Sequence, residues 1–252
     1  MDETNEFIQF KELSNYGILN LYTKKPFNFN SKIVSKNMIS KQYEIIQEKT
    51  NYKFTKIIKP NQNHTNIVKK VDLTNINDNF DNVDGLITNI KGVALVTSLA
   101  DCQGIFLYDP KNNVIGNIHS GWKGTLNRII INGIKLMISE YNSNIDDIKI
   151  YFCPSILKCC FEVEEEVKNK FLNNFSDIKI ENYIIKGNIK DKKQKYMIDT
   201  VSINIELIKK IGILEKNIFT SKLCTKCNSD IFYSHRADKS NDGRNIALIA
   251  IK

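Results

Sequence analysis

Between residues 53 and 118 the sequence alternates between short apolar runs and polar or small residues. The runs are KFTKIIK, NIVKKV, GLIT, GVALVTS, GIFLYD and NVIGNIH, and Gly, Asn or Asp lie between them. This pattern is typical of successive strands that end in turns. After Gly124 the apolar residues take up helical spacing, which predicts an amphipathic helix from Thr125 to about Tyr141. The chain is therefore constrained to a mixed α/β fold with a substantial sheet.

The rest of the chain continues this mixture of elements. IKIYF is the next predicted strand, and FEVEEEVKNKFLNNF spaces its apolar residues four apart on one face of a second helix. A third helix is predicted in YMIDTVSINIELIKKIGI, with Asp199 or Thr200 as N-cap and Gly212 as C-cap. Strands are predicted near NIFTSK, IFYSH and NIALIAI, and a helix is predicted around residues 38 to 49. Because there is no internal repeat or linker, we expect one domain spanning residues 1–252.

Composition and charge exclude several classes of protein. No apolar stretch approaches the roughly 20 residues that a membrane helix needs, and the first residues, MDETNEFIQF, are acidic where a signal peptide is basic. The net charge is +8, but the lysines are scattered and no run of five basic residues occurs. We therefore expect a cytoplasmic monomer or weak homo-oligomer that binds neither membranes nor nucleic acid.

The six cysteines are expected to be reduced thiols, since nothing in the sequence indicates secretion. Cys224 and Cys227 form a CxxC motif, but a structural zinc site needs a second pair of ligands. Cys153 and the adjacent Cys159 and Cys160 do not plainly supply that pair by their spacing. We therefore predict packing roles for these cysteines, and no metal ligation by Cys224 and Cys227.

Several motifs of known mechanism are absent. The sequence has no HExxH, and no histidine begins the HxE that zinc base deaminases combine with PCxxC. Gly116 and Gly121 have the spacing of a P-loop, but Trp122 and Lys123 follow where Lys and Ser or Thr are required. Zinc-peptidase chemistry, base deamination of that class and P-loop nucleotide binding are thus disfavoured.

Three potential metal ligands stand at junctions between predicted strands and loops: His64, Cys102 and His119. Taken singly they have ordinary explanations, as a surface histidine, a core thiol and a buried histidine. Taken together they offer two imidazoles and a thiolate, which suit zinc and leave its fourth position open. A multicopper oxidase needs many more histidines than the three in this chain, so that centre is excluded.

Motifs in order along the chain resemble the bacterial polyphenol oxidase (laccase-domain) family, now regarded as purine nucleoside phosphorylases. They are QNH at 62–64, DGLIT at 84–88, ADC at 100–102, HSGWKG at 119–124, CPSI at 153–156, CCFEV at 159–163, CT at 224–225, FYSHR at 232–236 and GR at 243–244. The resemblance implies a single-domain, four-layer α/β/β/α sandwich. It also implies zinc ligation by His64, Cys102 and His119. Copper(II) is an alternative metal there, because it outcompetes zinc at most such sites.

The resemblance further implies phosphorolysis of adenosine, guanosine, inosine and methylthioadenosine, with deamination of adenosine. We expect phosphate near the loop from Gly121 to Thr125, beside Lys123, because a helix start offers backbone N–H groups and a positive dipole. Arg236 and Arg244 are further candidate anion ligands. Asp101 is a candidate either for acid/base catalysis or for orienting the metal ligands. The candidate catalytic residues are therefore Asp101, Lys123 and Arg244.

Other readings stay open at this stage. A cysteine hydrolase or deamidase would use Cys102 as nucleophile and His119 as its base. A copper-binding polyphenol oxidoreductase and a non-enzymatic zinc or nucleic-acid-binding module are the remaining alternatives. The chain also departs from the family pattern, with Thr65 after His64, Gln103 and Gly104 after Cys102, and Ala237 after Arg236.

Overall fold

The computed structural model describes residues 1–238 and 243–252, and within them two six-stranded sheets dominate. The first sheet has the strand order β1 (Asp2–Glu3), β2 (Phe7–Gln9), β3 (Ile18–Thr23), β15 (Asn245–Ile251), β7 (Val93–Leu99) and β4 (Lys56–Ile58). The second has the order β14 (Ile218–Thr220), β10 (Lys149–Phe152), β8 (Gln103–Asp109), β9 (Val114–Ser120), β6 (Gly85–Thr88) and β5 (Val68–Lys70). A smaller sheet joins β11 (Glu162–Val163), β13 (Lys193–Ile198) and β12 (Ile184–Lys190).

Both large sheets are mixed. Most neighbouring strands are antiparallel, whereas β4 runs parallel to β7, β5 parallel to β6 and β14 parallel to β10. Helices supply the connections and the outer layers: α1 (Lys11–Asn15), α2 (Lys36–Thr50), α3 (Trp122–Leu126), α4 (Ile129–Tyr141), α5 (Glu165–Asn174) and α6 (Thr200–Lys210). Short 3-10 helices cover Ile180–Tyr183 and Glu215–Asn217. The predicted mixed α/β class is confirmed.

Three apolar clusters define the layers. One lies between the two sheets and joins residues such as Leu95 and Ile249 of the first sheet to Phe106 and Tyr151 of the second. Another packs α4, α5 and α6 on the outer face of the second sheet, and a third packs α2 on the outer face of the first. The order is therefore helix, sheet, sheet, helix, which agrees with the expected four-layer sandwich.

A buried asparagine, Asn117, joins the two large sheets by hydrogen bonds. The Asn117 amide of β9 donates to the carbonyl oxygens of Leu95 and Ala247 at 2.9 and 2.8 Å, and Thr97 donates to its oxygen at 2.9 Å. A buried side-chain amide is tolerated where its donors and acceptor are paired in this way. The hydrogen bonds fix β9 against the first sheet two residues before His119.

Two helices begin at residues whose side chains cap the first turn. Asp199 accepts a hydrogen bond from the Ser202 N–H at 3.0 Å, and Gly212 follows α6 with φ of +109°. Asp199 is the predicted N-cap, whereas the C-cap is Ile211 and the predicted Gly212 is the residue after it. The helix predicted around residues 38 to 49 is α2, which begins after Ser35 as N-cap.

Three local predictions are wrong. The helix predicted from Thr125 to Tyr141 is split into α3 and α4, because Arg128 takes a left-handed φ of 57° and donates from its guanidinium to Asp177 at 2.9 Å. Residues 231–235, predicted as a strand, form turns and loop. The second predicted helix begins only at Glu165, because Val163 belongs to β11.

None of the helices in the described ranges combines the length and the hydropathy that a membrane span requires.

Candidate metal site

Two histidines and a cysteine from distant parts of the chain meet at one end of the two sheets. His64 lies in the loop between β4 and β5, Cys102 between β7 and β8, and His119 near the end of β9. Their ligand atoms all lie within 4.8 Å of one another, and the Cys102 Sγ is 3.8 Å from the His64 Nε2. The imidazole rings are nearly perpendicular, at 81°. The predicted trio is thus assembled in space, with two nitrogens and one sulfur facing a common point.

Asp84, directly before β6, organises this group. Its Oδ1 lies 2.7 Å from the Nδ1 of His119, and the backbone N–H groups of Asn63, His64 and Thr65 all donate to its carboxylate. Histidines that bind metals ordinarily use one ring nitrogen for the metal and give the other N–H to a carboxylate. Asp84 therefore fixes the ring of His119 and the loop that carries His64 at once.

Gly121 leaves room for the ligands to approach each other. A Cβ atom built on this glycine would lie 2.8 Å from the Cδ2 of His64 and 3.2 Å from the Cys102 Sγ. Its φ of −75° is open to any residue, so close approach and not backbone conformation requires the glycine. The site is a cradle that a single added methyl group would fill.

The charges in the cradle perturb one another. Burial alone would raise the pKa of the Cys102 thiol, but the His119 and His64 imidazoles lower it to about 6. Burial alone would lower the pKa of His119, but the Cys102 sulfur and Asp84 raise it to about 9. Desolvation acts against the charge on Asp84, yet His119 and the Thr65 hydrogen bonds hold its pKa well below the usual range. The thiolate form, which binds metals, is therefore favoured at neutral pH.

Two cavities open beside His64 and Cys102. The first, of about 390 Å³, has Trp122, Phe161 and Ile156 in its wall together with Lys123 and Arg236. The second, of about 530 Å³, is more polar and contains Lys32, Lys59 and Arg244 in its wall. His64, Cys102 and His235 line both of them. Volumes of this size fall within the roughly 300–1,000 Å³ of small-molecule sites.

The candidate anion ligands are thus divided between the cavities. Lys123 stands on the first, whereas Arg244 stands on the second, beside Lys59. Partial desolvation, followed by the charge of Arg244, lowers the pKa of the Lys59 ammonium. Two cations that repel each other next to a polar cavity are a favourable place for an anion.

Asp101 lines the first cavity in an unusual backbone conformation, with φ of +80°. Its Oδ1 accepts from the Thr225 hydroxyl at 2.7 Å, and its Oδ2 accepts from the Arg236 backbone N–H at 2.7 Å. Its carbonyl oxygen accepts from the Ile156 N–H at 2.8 Å. These contacts hold two loops in place, while Asp84 makes the carboxylate contact with His119.

Gln103, a departure from the family pattern, forms part of the wall of the first cavity. It donates to the Thr200 hydroxyl at 2.9 Å and accepts from the Asn204 amide at 2.9 Å. Asn204 in turn donates to the Thr125 hydroxyl at 3.1 Å. A buried polar network thus connects α6 and α3 behind this wall.

The cysteine predictions need one correction. The structure brings Cys159 and Cys160 against Cys224 and Cys227, so that the four sulfur atoms lie within 4.8 Å of one another. The expectation that the CxxC motif lacks a second pair is wrong, because the fold and not the sequence spacing brings the two segments together. Cys153 is buried elsewhere, in the core between the sheets.

Two residues of the site escape sequence reasoning. Asp84 was visible only as the first residue of a motif, and Lys59 follows β4 without any distinguishing pattern. Neither position has a local signal of its role, since both act through residues distant in sequence.

The chain is similar to a described family and to several named proteins. The sequence profile of a family described as multi-copper polyphenol oxidoreductase laccase matches residues 24–252. A protein of Borreliella burgdorferi named purine nucleoside phosphorylase is 35% identical over 233 residues, covering 91% of this chain and 90% of that protein. Human purine nucleoside phosphorylase LACC1 is 33% identical over 176 residues, covering 68% of this chain and 39% of that protein.

Solved structures share the fold. A hypothetical protein YfiH from Bacillus licheniformis superposes with a TM-score of 0.87 at 24% identity, covering 99% of this chain and 98% of that one. YlmD from Geobacillus stearothermophilus gives a TM-score of 0.87 at 22% identity, covering 100% and 98%.

Proposed function

Because this chain belongs to the multi-copper polyphenol oxidoreductase laccase family, whose similar members include proteins named purine nucleoside phosphorylase, we propose that it is a metal-dependent purine nucleoside phosphorylase. The proposed substrates are adenosine, guanosine, inosine and methylthioadenosine, together with phosphate. Deamination of adenosine is proposed as a second activity of the same site.

The observation that carries the proposal is that two cavities meet at His64 and Cys102, with His119 in the wall of the second. The first cavity combines aromatic and apolar side chains with Lys123 and Arg236, whereas the second is more polar and contains Lys32, Lys59 and Arg244. A nucleoside carries an aromatic base, which suits the first cavity, and phosphate is a small anion, which suits the second. The arrangement supports a reaction between two such molecules at the boundary.

The three ligands fit a zinc ion. One thiolate and two imidazoles are a common donor set for zinc, and the Asp84 contact and the Gly121 cradle supply the orientation and room that such a site needs. Three protein ligands leave one coordination position free, and zinc held there supplies a Lewis acid.

The first cavity is proposed to hold the nucleoside. Trp122 and Phe161 offer apolar surface for the purine, and Lys123 stands beside them. As the bond between ribose C1′ and the purine nitrogen breaks, its electron pair stays on the purine. A hydrogen bond from the Lys123 ammonium would stabilise that charge until the base is protonated.

Phosphate is proposed to bind in the second cavity, between Lys59 and Arg244, and not beside Lys123 as expected from the sequence. Phosphate attacks C1′ from the side opposite the departing purine, so nucleophile and leaving group need separate places. One phosphate oxygen forms the new bond to C1′ as the purine leaves, and ribose 1-phosphate and a free base result. The two cations fix the anion and favour its attack by proximity.

Asp101 is proposed to act chiefly by positioning, although it touches the first cavity. Its two carboxylate oxygens hold Thr225 and the backbone of Arg236, which shapes the cavity wall beside Cys102. In deamination, where water replaces the amino group at the purine C6, the same carboxylate is proposed to move a proton. Both roles predict lost activity when the carboxylate is removed.

A second candidate function rests on the low pKa of Cys102. In space, the Cys102 thiol contacts His119, and His119 contacts Asp84. The three could therefore act as a nucleophile, its base and a carboxylate that orients the base. A cysteine hydrolase or deamidase would use this set without metal. Metal content separates the two functions, because a chelator would abolish phosphorolysis and spare a cysteine hydrolase.

Copper chemistry is the remaining alternative. Copper(II) binds most nitrogen and sulfur sites more tightly than zinc, so the trio would accept it when both are present. A multicopper centre is excluded by the histidine count of three.

The decisive experiment incubates metal-replete protein with the four nucleosides, with and without phosphate, and separates the products by chromatography. We expect free purine base only when phosphate is present, and inosine from adenosine without it. Failure to release base from any of the nucleosides would refute the phosphorylase proposal.

A further inference from the structure

Four cysteines form a compact cluster away from the ligands described above. The Cys227 Sγ lies 3.4 Å from the Cys160 Sγ and 3.6 Å from the Cys159 Sγ, and all four sulfurs, including that of Cys224, lie within 4.8 Å of one another. In a tetrahedral zinc–thiolate site with Zn–S bonds of about 2.3 Å, neighbouring sulfurs are about 3.8 Å apart. The cluster already has nearly those dimensions.

The backbone around the cluster holds the sulfurs in place. The N–H groups of Leu157 and Cys227 hydrogen-bond to the Cys224 sulfur. The Asn228 N–H and side-chain amide both donate to the Cys224 carbonyl, at 3.1 and 2.7 Å, and so fix the CxxC turn. The Cys160 N–H donates to the Leu157 carbonyl at 2.9 Å and fixes the other pair. Each pair therefore lies on a formed turn and not on an extended segment.

The two turns are also joined to each other. The Ser155 N–H donates to the Leu223 carbonyl at 3.2 Å, and the Thr225 N–H donates to the Ser155 carbonyl at 3.0 Å. These bonds set the register in which the two cysteine pairs face each other. All six cysteines of the chain are free thiols, so the cluster is available as four ligands.

We propose that Cys159, Cys160, Cys224 and Cys227 bind a second metal ion, a zinc held by four thiolates. An all-sulfur tetrahedral set is typical of structural zinc sites. Four protein ligands leave no open position, so this zinc is structural.

The surroundings favour the charge of such a site. Zinc with four thiolates carries a formal charge of about −2. The cavity beside Cys159 and Cys160 includes Lys226 and Arg236 in its wall, together with Lys190, which pairs with Glu162 of the same wall at 2.8 Å. Cationic side chains next to the cluster reduce the cost of gathering four thiolates.

The position of the cluster connects it to the first cavity. Thr225 directly follows Cys224 and donates to Asp101, and Ile156, three residues before Cys159, donates to the Asp101 carbonyl. The zinc would therefore clamp the two loops that hold Asp101 in its left-handed conformation. This consequence for activity rests on the proposed function, whereas the metal binding does not.

The test counts metal ions in protein purified from zinc-containing medium. We expect two zinc ions per chain in the wild type, one in Cys102→Ser and one in the double variant Cys224→Ser/Cys227→Ser. Cys153→Ala, which removes a buried cysteine outside both sites, should retain two. Zinc X-ray absorption of Cys102→Ser should give four sulfur neighbours at about 2.3 Å.

The outcomes separate this proposal from the function proposed above. If the wild type and Cys102→Ser each hold one zinc and the double variant none, the cluster binds zinc and the His64, Cys102 and His119 site does not. If Cys102→Ser holds no metal, or mass spectrometry finds a disulfide among the four cysteines of protein purified under reducing conditions, the tetrathiolate site is refuted. Because Cys102→Ser leaves the cluster intact, this arm does not depend on whether the double variant folds.

Discussion

The Nδ1 of His119 lies 2.7 Å from the Oδ1 of Asp84, a carboxylate with 0% of its surface exposed. This contact gives the two nitrogens of the His119 ring different partners. Since Nδ1 faces the carboxylate, Nε2 is the nitrogen left to face Cys102 and a metal. Asp84, directly before β6, thus determines the orientation of the His119 ring on β9.

Replacing Asp84 by Asn should weaken metal binding by about 10- to 100-fold, because the His119 ring loses its carboxylate partner. Competition with a chromogenic chelator measures the change in affinity. Thr65→Val is the matched control, since it removes only a hydroxyl that donates to the same carboxylate at 2.7 Å. A loss in Asp84→Asn no larger than in the control would show that the contact does not orient the ligand.

Replacing Lys123 by Ala should lower kcat/KM for phosphorolysis by about tenfold or more, from the loss of one hydrogen bond to a charged group. Deamination should change less, because no purine anion departs in that reaction. Lys170→Ala is the control, since the ammonium groups of both lysines lie 5.8 Å from the Trp122 ring but Lys123 lines the cavity. Equal losses in both reactions would assign Lys123 a general role in substrate binding.

Replacing Lys59 by Ala should raise the KM for phosphate by about tenfold and leave the KM for the nucleoside nearly unchanged, because one of the two cations proposed to hold phosphate is lost. Initial rates at varied phosphate give both constants. Lys56→Ala serves as the control, since this nearby lysine is exposed and donates to Asn77. A larger effect on the nucleoside would reverse the assignment of the two cavities.

In metal-free protein, Cys102 should react with iodoacetamide at a rate that rises through a midpoint near pH 6. The neighbouring imidazoles lower its pKa to about 6, so the thiolate persists down to that pH and is lost below it. Peptide mass spectrometry after timed alkylation follows each cysteine separately. Burial raises the pKa of Cys153 well above its usual value, so this residue should stay unmodified over the same range. A midpoint for Cys102 near 9 would contradict the thiolate assignment.

Local signals account for the parts of the fold and site that the sequence predicted. Asp199 caps α6 by accepting from the N–H of Ser202, three residues later. Strand and helix periodicity give the class of fold. His64, Cys102 and His119 were grouped by their ligand chemistry and by motif resemblance, and the fold brings them together.

What the sequence did not predict depends on contacts across long stretches of chain. Cys160 and Cys227 are 67 positions apart, and no spacing rule relates two turns that pair only after the sheets have formed. Arg128 interrupts a helix although the apolar pattern runs through it, because its left-handed conformation is accompanied by an ion pair with Asp177. The division of Lys123 and Arg244 between two cavities likewise exists only in three dimensions.

The two cavities that flank the ligands have a consequence for the order of events in turnover. If nucleoside and phosphate each have their own cavity, neither occupies the approach of the other. Either one can then bind first, and free base and ribose 1-phosphate can leave in either order. Such an enzyme follows a random sequential scheme, in which either substrate binds to the free enzyme without the other.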